Sequence, residues 1–366
     1  MSRIISIGTA LPKYCTPQED ILKFMQTAYK NNTASRKLKL LFHQSGIKKR
    51  YSVVPDFNPD CSDRIIFATG KTAPNVEERL LVYKEHAASL AIDAIHKAIK
   101  KLNSTPAEIK ISHLITVTCT GLYSPGIDTE IMERLQLPND IFRTSVNFMG
   151  CNAAFPALKI ADMIVKTDEN AKVLVVCVEL CTLHFQPKDN TDNLLSNTIF
   201  GDGAAAVLVV SNKAAKQNSQ KGLEMNGFYS LLLDKGKNFM AWNIKSLNFE
   251  MVLDPAIPDF IGSHSKEIVS KASLNLNIDP LKINKWAVHP GGKRILDALK
   301  KQLELSTEDL QHSYKVFEEN GNMSSPTILF VLNEMMHSSH KPEETILAIG
   351  FGPGLSIETA KFTYAE

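Results

Sequence analysis

The chain has 366 residues, more than one average domain, which predicts two domains or one large duplicated domain. Apolar residues make up 44% and charged residues 22%, a composition that excludes a disordered protein. The 41 basic and 39 acidic residues give a net charge of +2, so there is no strong field to attract nucleic acid or an anionic membrane.

The thiols and the hydropathy pattern bear on location. The cysteines are spread over positions 15, 61, 119, 151, 177 and 181, unlike the dense framework of a small secreted protein. No segment approaches the roughly 18 apolar residues that a membrane-spanning helix needs, and the first apolar run, at 4–7, is too short for a signal peptide. We therefore expect a cytoplasmic protein with reduced thiols and neither nucleic acid nor membrane as a partner.

Strand and helix patterns alternate along the chain. Short β-branched runs predict buried strands at 4–7, 114–118, 173–178, 204–210, 286–288 and 345–349. Amphipathic patterns predict helices at 18–30, 75–102, 153–167, 293–303 and 325–337. This alternation predicts an α/β layered fold. A polar stretch at 211–222 suggests a boundary between halves 1–212 and 222–366. Glycine-containing turns recur at corresponding places in the two halves, which indicates an internal duplication.

Cys151 is the first candidate for chemistry. A predicted strand at 146–150 ends in glycine, and a predicted helix begins at residue 152. A thiol at a helix N-terminus lies near unpaired N–H groups, which would lower its pKa from about 8.5. The alternative is a small buried core residue, which is our interpretation of Cys15, Cys61 and Cys177. The strand–glycine–helix context favours a nucleophile at Cys151.

Two further polar residues complete a possible site. His289 ends an apolar strand and precedes Pro-Gly-Gly, which would direct it into the crevice where α/β proteins bind ligands. Asn322 precedes a predicted helix, where a helix cap is the alternative interpretation. Together they have a chemical logic. A thiolate attacks a carbonyl, an imidazole tunes the thiol, and a carboxamide stabilises an oxyanion.

Other functional classes fit less well. The order Cys, His, Asn also occurs in papain-like hydrolases, but Cys151 lacks a Cys-Gly-Ser-Cys-Trp context and follows a long strand-rich region. The glycine-rich runs 201–203 and 350–354 are followed by strands, so each is predicted as a turn between antiparallel strands and not as a nucleotide loop. Cys177 and Cys181 lack a second ligand pair, so we expect no metal site.

The glycine-rich motifs carry a family resemblance. The sequence resembles the type III polyketide synthases, the family of chalcone and stilbene synthases, over nearly its whole length. The most specific segments are Gly150-Cys151, His289-Pro290-Gly291-Gly292, Gly321-Asn322-Met323-Ser324-Ser325 and Gly350-Phe351-Gly352-Pro353-Gly354. The segment at 200–204 also matches, but ketoacyl-ACP synthase III shares it. The resemblance implies a thiolase-like fold, with two similar halves in five αβαβα layers, and a homodimer.

The resemblance also implies an activity. Cys151 would take an acyl group from an acyl-CoA starter, while His289 and Asn322 would hold malonyl-CoA as carbon dioxide leaves. Repeated condensation and cyclisation would then give a pyrone, resorcinol or phloroglucinol, with no cofactor beyond the coenzyme A thioesters. A single condensation of the ketoacyl-ACP synthase III kind remains the alternative. Phe200 and Phe249 match two phenylalanines at the mouth of the acyl cavity.

Several positions depart from the family pattern. Lys37 keeps one of the basic side chains expected to bind coenzyme A phosphates, but Leu40 and Gln44 occupy the other two places. Substitutes could come from Lys39, Lys48 or Lys49. We expect the substrate pocket to include Ser124, where the family has a methionine that reaches across the dimer, together with Cys181, His184 and Ser324. A bulky His184 in place of threonine, with Met240 in place of a glycine, predicts a shorter product than that of a chalcone synthase.

Overall fold

A computed structural model of the protein describes residues 1–29, 31–67, 73–341 and 343–365. The strands are β1 Ser2–Ala10, β2 Tyr14–Pro17, β3 Lys49–Ser52, β4 His113–Thr118, β5 Phe142–Asn147, β6 Lys172–Leu180, β7 Asp202–Ser211, β8 Gly222–Leu232, β9 Met240–Ile244, β10 Phe249–Leu253, β11 Ile283–Val288, β12 Thr345–Gly352 and β13 Ser356–Ala365. The helices are α1 Gln18–Ala28, α2 Asn32–Ser45, α3 Val76–Lys100, α4 Pro106–Ile109, α5 Ile127–Leu135, α6 Ala154–Thr167, α7 Thr191–Ile199, α8 Asn212–Gln217, α9 Ile257–Asn275, α10 Lys293–Gln302, α11 Gln311–Asn320 and α12 Thr327–His337.

The main strands form two groups that meet at one short pairing. Within the described ranges, nine strands follow the order β11-β12-β13-β8-β1-β7-β6-β4-β5. The first half contributes β5, β4, β6, β7 and β1, and the second half contributes β8, β13, β12 and β11. The halves join where residues 2–4 of β1 pair antiparallel with residues 223–225 of β8.

Side-chain alternation along the strands divides the core into layers, because successive residues point to opposite faces. In β6, Leu174 and Val176 pack in the same core as α3, whereas Val173 and Val175 pack with α6 and α12. In β12, alternate residues likewise face either the central helices or α9 and α10. Helices therefore cover both outer faces and fill the space between the halves, which gives the expected five αβαβα layers.

The predicted elements are largely confirmed. Six predicted strands lie within observed ones, the predicted strand at 146–150 overlaps only the end of β5, and each predicted helix overlaps an observed helix. The predicted end of the first helix at Lys30 lies outside the described residues. The predicted turn at 350–354 joins the antiparallel strands β12 and β13. The corresponding prediction for 201–203 is wrong, because α7 precedes this segment and residues 202–203 already belong to β7. The polar stretch at 211–222 contains the short helix α8.

Candidate active site

Cys151 lies in the connection between β5 and α6. The strand ends at Asn147, three residues earlier than predicted, and Phe148 and Gly150 both have positive φ angles, of 58° and 88°. A Cβ atom on Gly150 would lie 2.1 Å from Cδ of Pro353, so only glycine fits at this turn. The Gly150 N–H donates to Sγ of Cys119 at 3.1 Å. This tight turn buries Cys151, which is 5% exposed.

The pKa of the Cys151 thiol moves in the direction opposite to the sequence prediction. Burial raises it to about 11, and the nearby carboxyl of Glu179 adds to the rise. Hydrogen bonds from Ser324 and Asn322 act in the other direction. The helix α6 begins at Ala154, three residues after Cys151. The thiol is therefore protonated at neutral pH.

His289 follows the last residue of β11. Its backbone N–H donates to the Ile349 carbonyl at 2.8 Å, which continues the pairing of β11 with β12. The side chain is 1% exposed, and neither ring nitrogen has a hydrogen-bond partner within the described parts of the chain. Burial lowers the pKa of the imidazole to about 3, so the ring is neutral. Unpaired buried polar atoms are costly, so this ring is a candidate for binding a ligand.

Asn322 is fixed by both its backbone and its side chain. Its N–H donates to the Ile199 carbonyl at 2.9 Å, and its carbonyl accepts from the Gly201 N–H at 3.0 Å. The side-chain oxygen accepts from the Ser324 N–H at 2.8 Å, while Nδ2 donates to the Gly291 carbonyl at 3.4 Å. The helix-cap interpretation is wrong, because Pro326 occupies the N-cap position of α12.

A chain of contacts brings the three predicted groups together. The Cys151 thiol is within hydrogen-bonding reach of Asn322 and Ser324. The Asn322 amide reaches Gly291, where a Cβ atom would lie 3.9 Å from Nε2 of His289. The first half of the chain thus supplies a thiol, and the second half supplies a carboxamide within its reach and an imidazole next to the Gly291 turn that this carboxamide contacts. Such a set can support acyl transfer and stabilise an enolate.

An internal cavity of about 60 Å³ adjoins this centre through Ser324 and Phe200. Five of the predicted pocket residues line it: Phe200, Phe249, Cys181, His184 and Ser324. The sequence interpretation missed Trp242, Arg50 and Asn248, which also line it. It was wrong about Met240, which starts β9 and packs into the outer core of the second half. The bulky cavity residue on that strand is instead Trp242.

A second opening lies beside Gly291, to which the Asn322 amide donates. This cleft of about 560 Å³ reaches Gly291 and Gly292, and its basic residues include Lys293 and Arg294. Lys37, by contrast, is exposed on α2, forms a 3.8 Å ion pair with Asp189, and is not among the residues that line the cleft. The helix after His-Pro-Gly-Gly, which the sequence interpretation did not consider for phosphate binding, brings two cations to this opening.

The other proposed lysines also lie away from the cleft. Lys48 pairs with Glu318 at 2.9 Å, and Lys49 pairs with Glu319 at 2.9 Å. Neither residue lines the cleft, and neither does Lys39. These positions therefore give no support to the suggested substitutes for Leu40 and Gln44.

Ser124 lies in a separate surface cavity of about 750 Å³, which Tyr83, Arg143 and Ser145 also line. It is not among the residues around the cavity next to Cys151 of its own chain. A role in substrate binding would therefore require the site of a second copy.

Glu179 is a buried residue that the sequence interpretation missed. Its carboxyl accepts from the Ser325 hydroxyl at 2.6 Å, the Thr120 hydroxyl at 2.7 Å and the Cys119 N–H at 2.9 Å. Burial raises its pKa. The available signal was a single acidic residue within the apolar run of β6. Glu179 ties the loop after β4 to the segment that carries Asn322 and so positions the site.

Neither a metal-binding cluster nor a membrane-spanning helix is found among the described residues. In the described ranges, no group of three or more His, Cys, Asp or Glu side chains is arranged to hold a metal ion. No helix in the same part of the chain is long and apolar enough to cross a membrane.

The five-layer fold, with a thiol from one half and an imidazole and a carboxamide from the other, defines a thiolase-like enzyme that transfers acyl groups. Two family descriptions match the chain: "Chalcone and stilbene synthases, N-terminal domain" over residues 1–213, and the corresponding C-terminal domain over residues 225–363. The chain belongs to this family and is a type III polyketide synthase. The papain-like alternative fits neither this fold nor this family.

Similarity to individual proteins extends over the whole chain. The alpha-pyrone synthesis polyketide synthase-like Pks18 of Mycobacterium tuberculosis is 28% identical over 361 residues, 98% of this chain and 90% of that protein. The 3,5-dihydroxyphenylacetyl-CoA synthase of Streptomyces toyocaensis is 27% identical over 98% of this chain and 89% of its own. The crystal structure of PKS-I from the brown alga Ectocarpus siliculosus has a TM-score of 0.92 at 27% identity, covering 100% of this chain and 98% of its own.

Proposed function

We propose that the protein loads an acyl-CoA starter on Cys151 and extends it by repeated decarboxylative condensation with malonyl-CoA. The extended chain then cyclises to a pyrone, resorcinol or phloroglucinol type of product. One chain of contacts carries this proposal. The Cys151 thiol lies within hydrogen-bonding reach of Asn322, and the Asn322 amide donates to Gly291, two residues after His289, whose buried ring nitrogens have no hydrogen-bond partner among the described residues.

Loading begins with a proton transfer that the charge states favour. The neutral His289 imidazole takes the thiol proton as the Cys151 sulfur attacks the starter's thioester carbonyl. A C–S bond to Cys151 forms, the C–S bond to coenzyme A breaks, and the imidazolium returns its proton to the departing coenzyme A thiolate. A protonated His289 imidazole could not accept the thiol proton. The lowered pKa of His289 keeps the ring neutral before loading and therefore fits this step.

Extension uses the imidazole and the carboxamide as donors. When the bond to the malonyl carboxylate breaks, carbon dioxide leaves and the electron pair forms an enolate on the thioester. N–H groups of His289 and Asn322 stabilise its oxygen. The enolate carbon then attacks the acyl group on Cys151, which forms a C–C bond and releases the Cys151 thiolate. The lengthened chain, now on coenzyme A, returns to Cys151 for the next round.

The cleft beside Gly291 is the proposed path for the pantetheine arm, with Lys293 and Arg294 as the phosphate-binding cations. Lys293 forms an exposed ion pair with Asp297 at 2.9 Å, and Arg294 forms one with Asp259 at 3.6 Å beside a 3.5 Å hydrogen bond to the Pro255 carbonyl. Exposed pairs of this kind are weak, so both side chains can turn to a phosphate at small cost. Arginine suits phosphate particularly well, because its donors match two oxygens at once.

We further propose a cytoplasmic homodimer whose halves are 1–212 and 222–366 and which uses no bound cofactor or metal. β5 lies at the edge of the sheet, and the large apolar side chains of Phe142, Met149 and Leu122 are exposed near it. Unpaired sheet edges and exposed apolar side chains favour pairing with a second chain. A copy bound here would bring Ser124 near the site of its partner. Sedimentation that shows only monomers, unchanged by Phe142→Glu, would oppose this arrangement.

Product mass tests the proposed activity directly. The purified enzyme is incubated with acyl-CoA starters and malonyl-CoA, and its products are weighed beside those of Cys151→Ala and of the core-cysteine control Cys177→Ala. We expect products with several malonyl-derived units from the wild type and the control, and none from Cys151→Ala. Products of one condensation only, or a strict need for acyl carrier protein, would instead support the ketoacyl-ACP synthase III alternative.

A further inference from the structure

The size of the internal cavity limits what Cys151 can carry. Its volume of about 60 Å³ is well below the roughly 150 Å³ of an engineered protein cavity that accepts benzene. An aromatic acyl group held at Cys151 would therefore have no room beyond Ser324 and Phe200. A long alkyl chain would meet the same restriction.

Three rings close the cavity on one side. The His184 ring stacks on Phe249 with centroids 4.5 Å apart and an interplanar angle of 11°. Trp242 stands edge-on to both, at 5.6 Å from His184 and 6.1 Å from Phe249. Rings packed in these geometries attract one another and fill space efficiently. We call the rings of His184, Phe249 and Trp242 the aromatic wall.

Hydrogen bonds fix the aromatic wall in place. Nε2–H of His184 donates to the Thr120 carbonyl at 2.8 Å, and Nδ1 accepts from the Phe249 N–H at 3.1 Å. Nε1–H of Trp242 donates to the Cys119 carbonyl at 2.7 Å. Turning either ring aside for a larger substrate would leave buried donors and acceptors unpaired, which is unfavourable. The wall therefore acts as a rigid limit.

The rest of the lining combines apolar side chains, such as Met25, Phe57 and Met251, with several polar groups. Nη2 of Arg50 and Oδ1 of Asn248 are buried and lack a hydrogen-bond partner within the described ranges. The side chains of Asn193, Ser196 and Asn197 also border the space. An alkyl chain would leave these groups unsatisfied, whereas a chain with a keto or enol oxygen on every second carbon could pair with them.

We propose that the starter is a small aliphatic acyl-CoA of acetyl size, and that the cavity holds a short, oxygen-rich chain built almost wholly from malonyl units. His184 is the residue that sets this limit, with Trp242 as its support. This inference rests on the proposed function, because it specifies the substrate class of the same site.

Competition between starters tests the inference. Acetyl-, benzoyl- and dodecanoyl-CoA are offered singly and together with malonyl-CoA, and kcat/KM is measured from product mass. We expect acetyl-CoA to be preferred at least tenfold by the wild type, and His184→Ala to reduce that preference at least fivefold. His264→Ala is the matched control, because this histidine also packs on a phenylalanine, Phe260 at 4.3 Å, but lies on α9 outside the cavity.

Trp242→Leu enlarges the same cavity without removing the hydrogen bonds of His184, and it decides the question if His184→Ala fails to fold. A wild type that prefers benzoyl- or dodecanoyl-CoA would overturn the inference, as would unchanged starter preference in a folded Trp242→Leu protein. In both cases polyketides still form, so the proposed function stands. Absence of any condensation product from every starter would instead count against the proposed function itself.

Discussion

Replacement of Asn322 should remove a transition-state interaction while leaving substrate binding intact. The Asn322 oxygen is held by the Ser324 N–H at 2.8 Å, which leaves the amide nitrogen as the group that faces substrate beside Gly291. Loss of one such donor to a developing oxyanion lowers kcat about 10²–10³-fold, or ~2.7–4 kcal/mol. We expect a decrease of this size in malonyl-CoA decarboxylation by Asn322→Ala.

The assay is release of carbon dioxide from malonyl-CoA without starter, beside acylation of Cys151 by the starter alone. Asn322→Asp keeps an oxygen for the Ser324 N–H but loses the donor, so it should be at least as impaired as the alanine variant while retaining the fold. Asn320→Ala is the matched control, because Asn320 lies two residues earlier and its amide donates to the Val316 carbonyl of its own helix. Decarboxylation at the wild-type rate by a folded Asn322→Ala protein would refute the assigned role.

Three further predictions concern the thiol, the cleft and the aromatic wall. Cys151→Ala should abolish starter loading, seen as a missing acyl mass on the protein, while decarboxylation persists; loss of both would contradict the separation of roles. Arg294→Glu should raise the KM for malonyl-CoA about tenfold with little change in kcat, whereas Lys301→Glu on the same helix should leave both unchanged. The pKa of His184 is lowered to about 3 by burial, below its unfolded value, so stability is lost as pH falls below about 6.5. From pH 7.5 to 5.5 this lowers the free energy of unfolding by about 1 kcal/mol. Urea unfolding should show a loss smaller by this amount in His184→Gln, and equal losses in both proteins would contradict the prediction.

The elements and the catalytic trio were predictable because their signals are local. Apolar runs such as 173–178 can be buried only as strands between helical layers, and glycine turns beside Cys151 and His289 mark strand ends. The order of the residues also placed the thiol in one half and the other two groups in the second half. These features depend on residues that are close in sequence, so they can be predicted without knowledge of the tertiary contacts.

The charge state of Cys151 and the cations that line the cleft were not predictable in this way. Burial of the thiol, which is a tertiary property, raises its pKa, opposite to the expected shift. Lys293 and Arg294 join the cleft only because α10 folds beside α9 and faces α2. Trp242 likewise lines the cavity through a contact between distant parts of the sequence, because its indole N–H donates to the Cys119 carbonyl.

The intermediate on Cys151 tests the central claim most directly. The enzyme is mixed with acetyl-CoA and malonyl-CoA, quenched in acid within a turnover, and digested, and the peptide that contains Cys151 is weighed. We predict acyl adducts on Cys151 that form a series, each longer than the last by one malonyl-derived two-carbon unit. A starter adduct that never lengthens, or an acyl group carried on any other residue, would contradict iterative extension at Cys151.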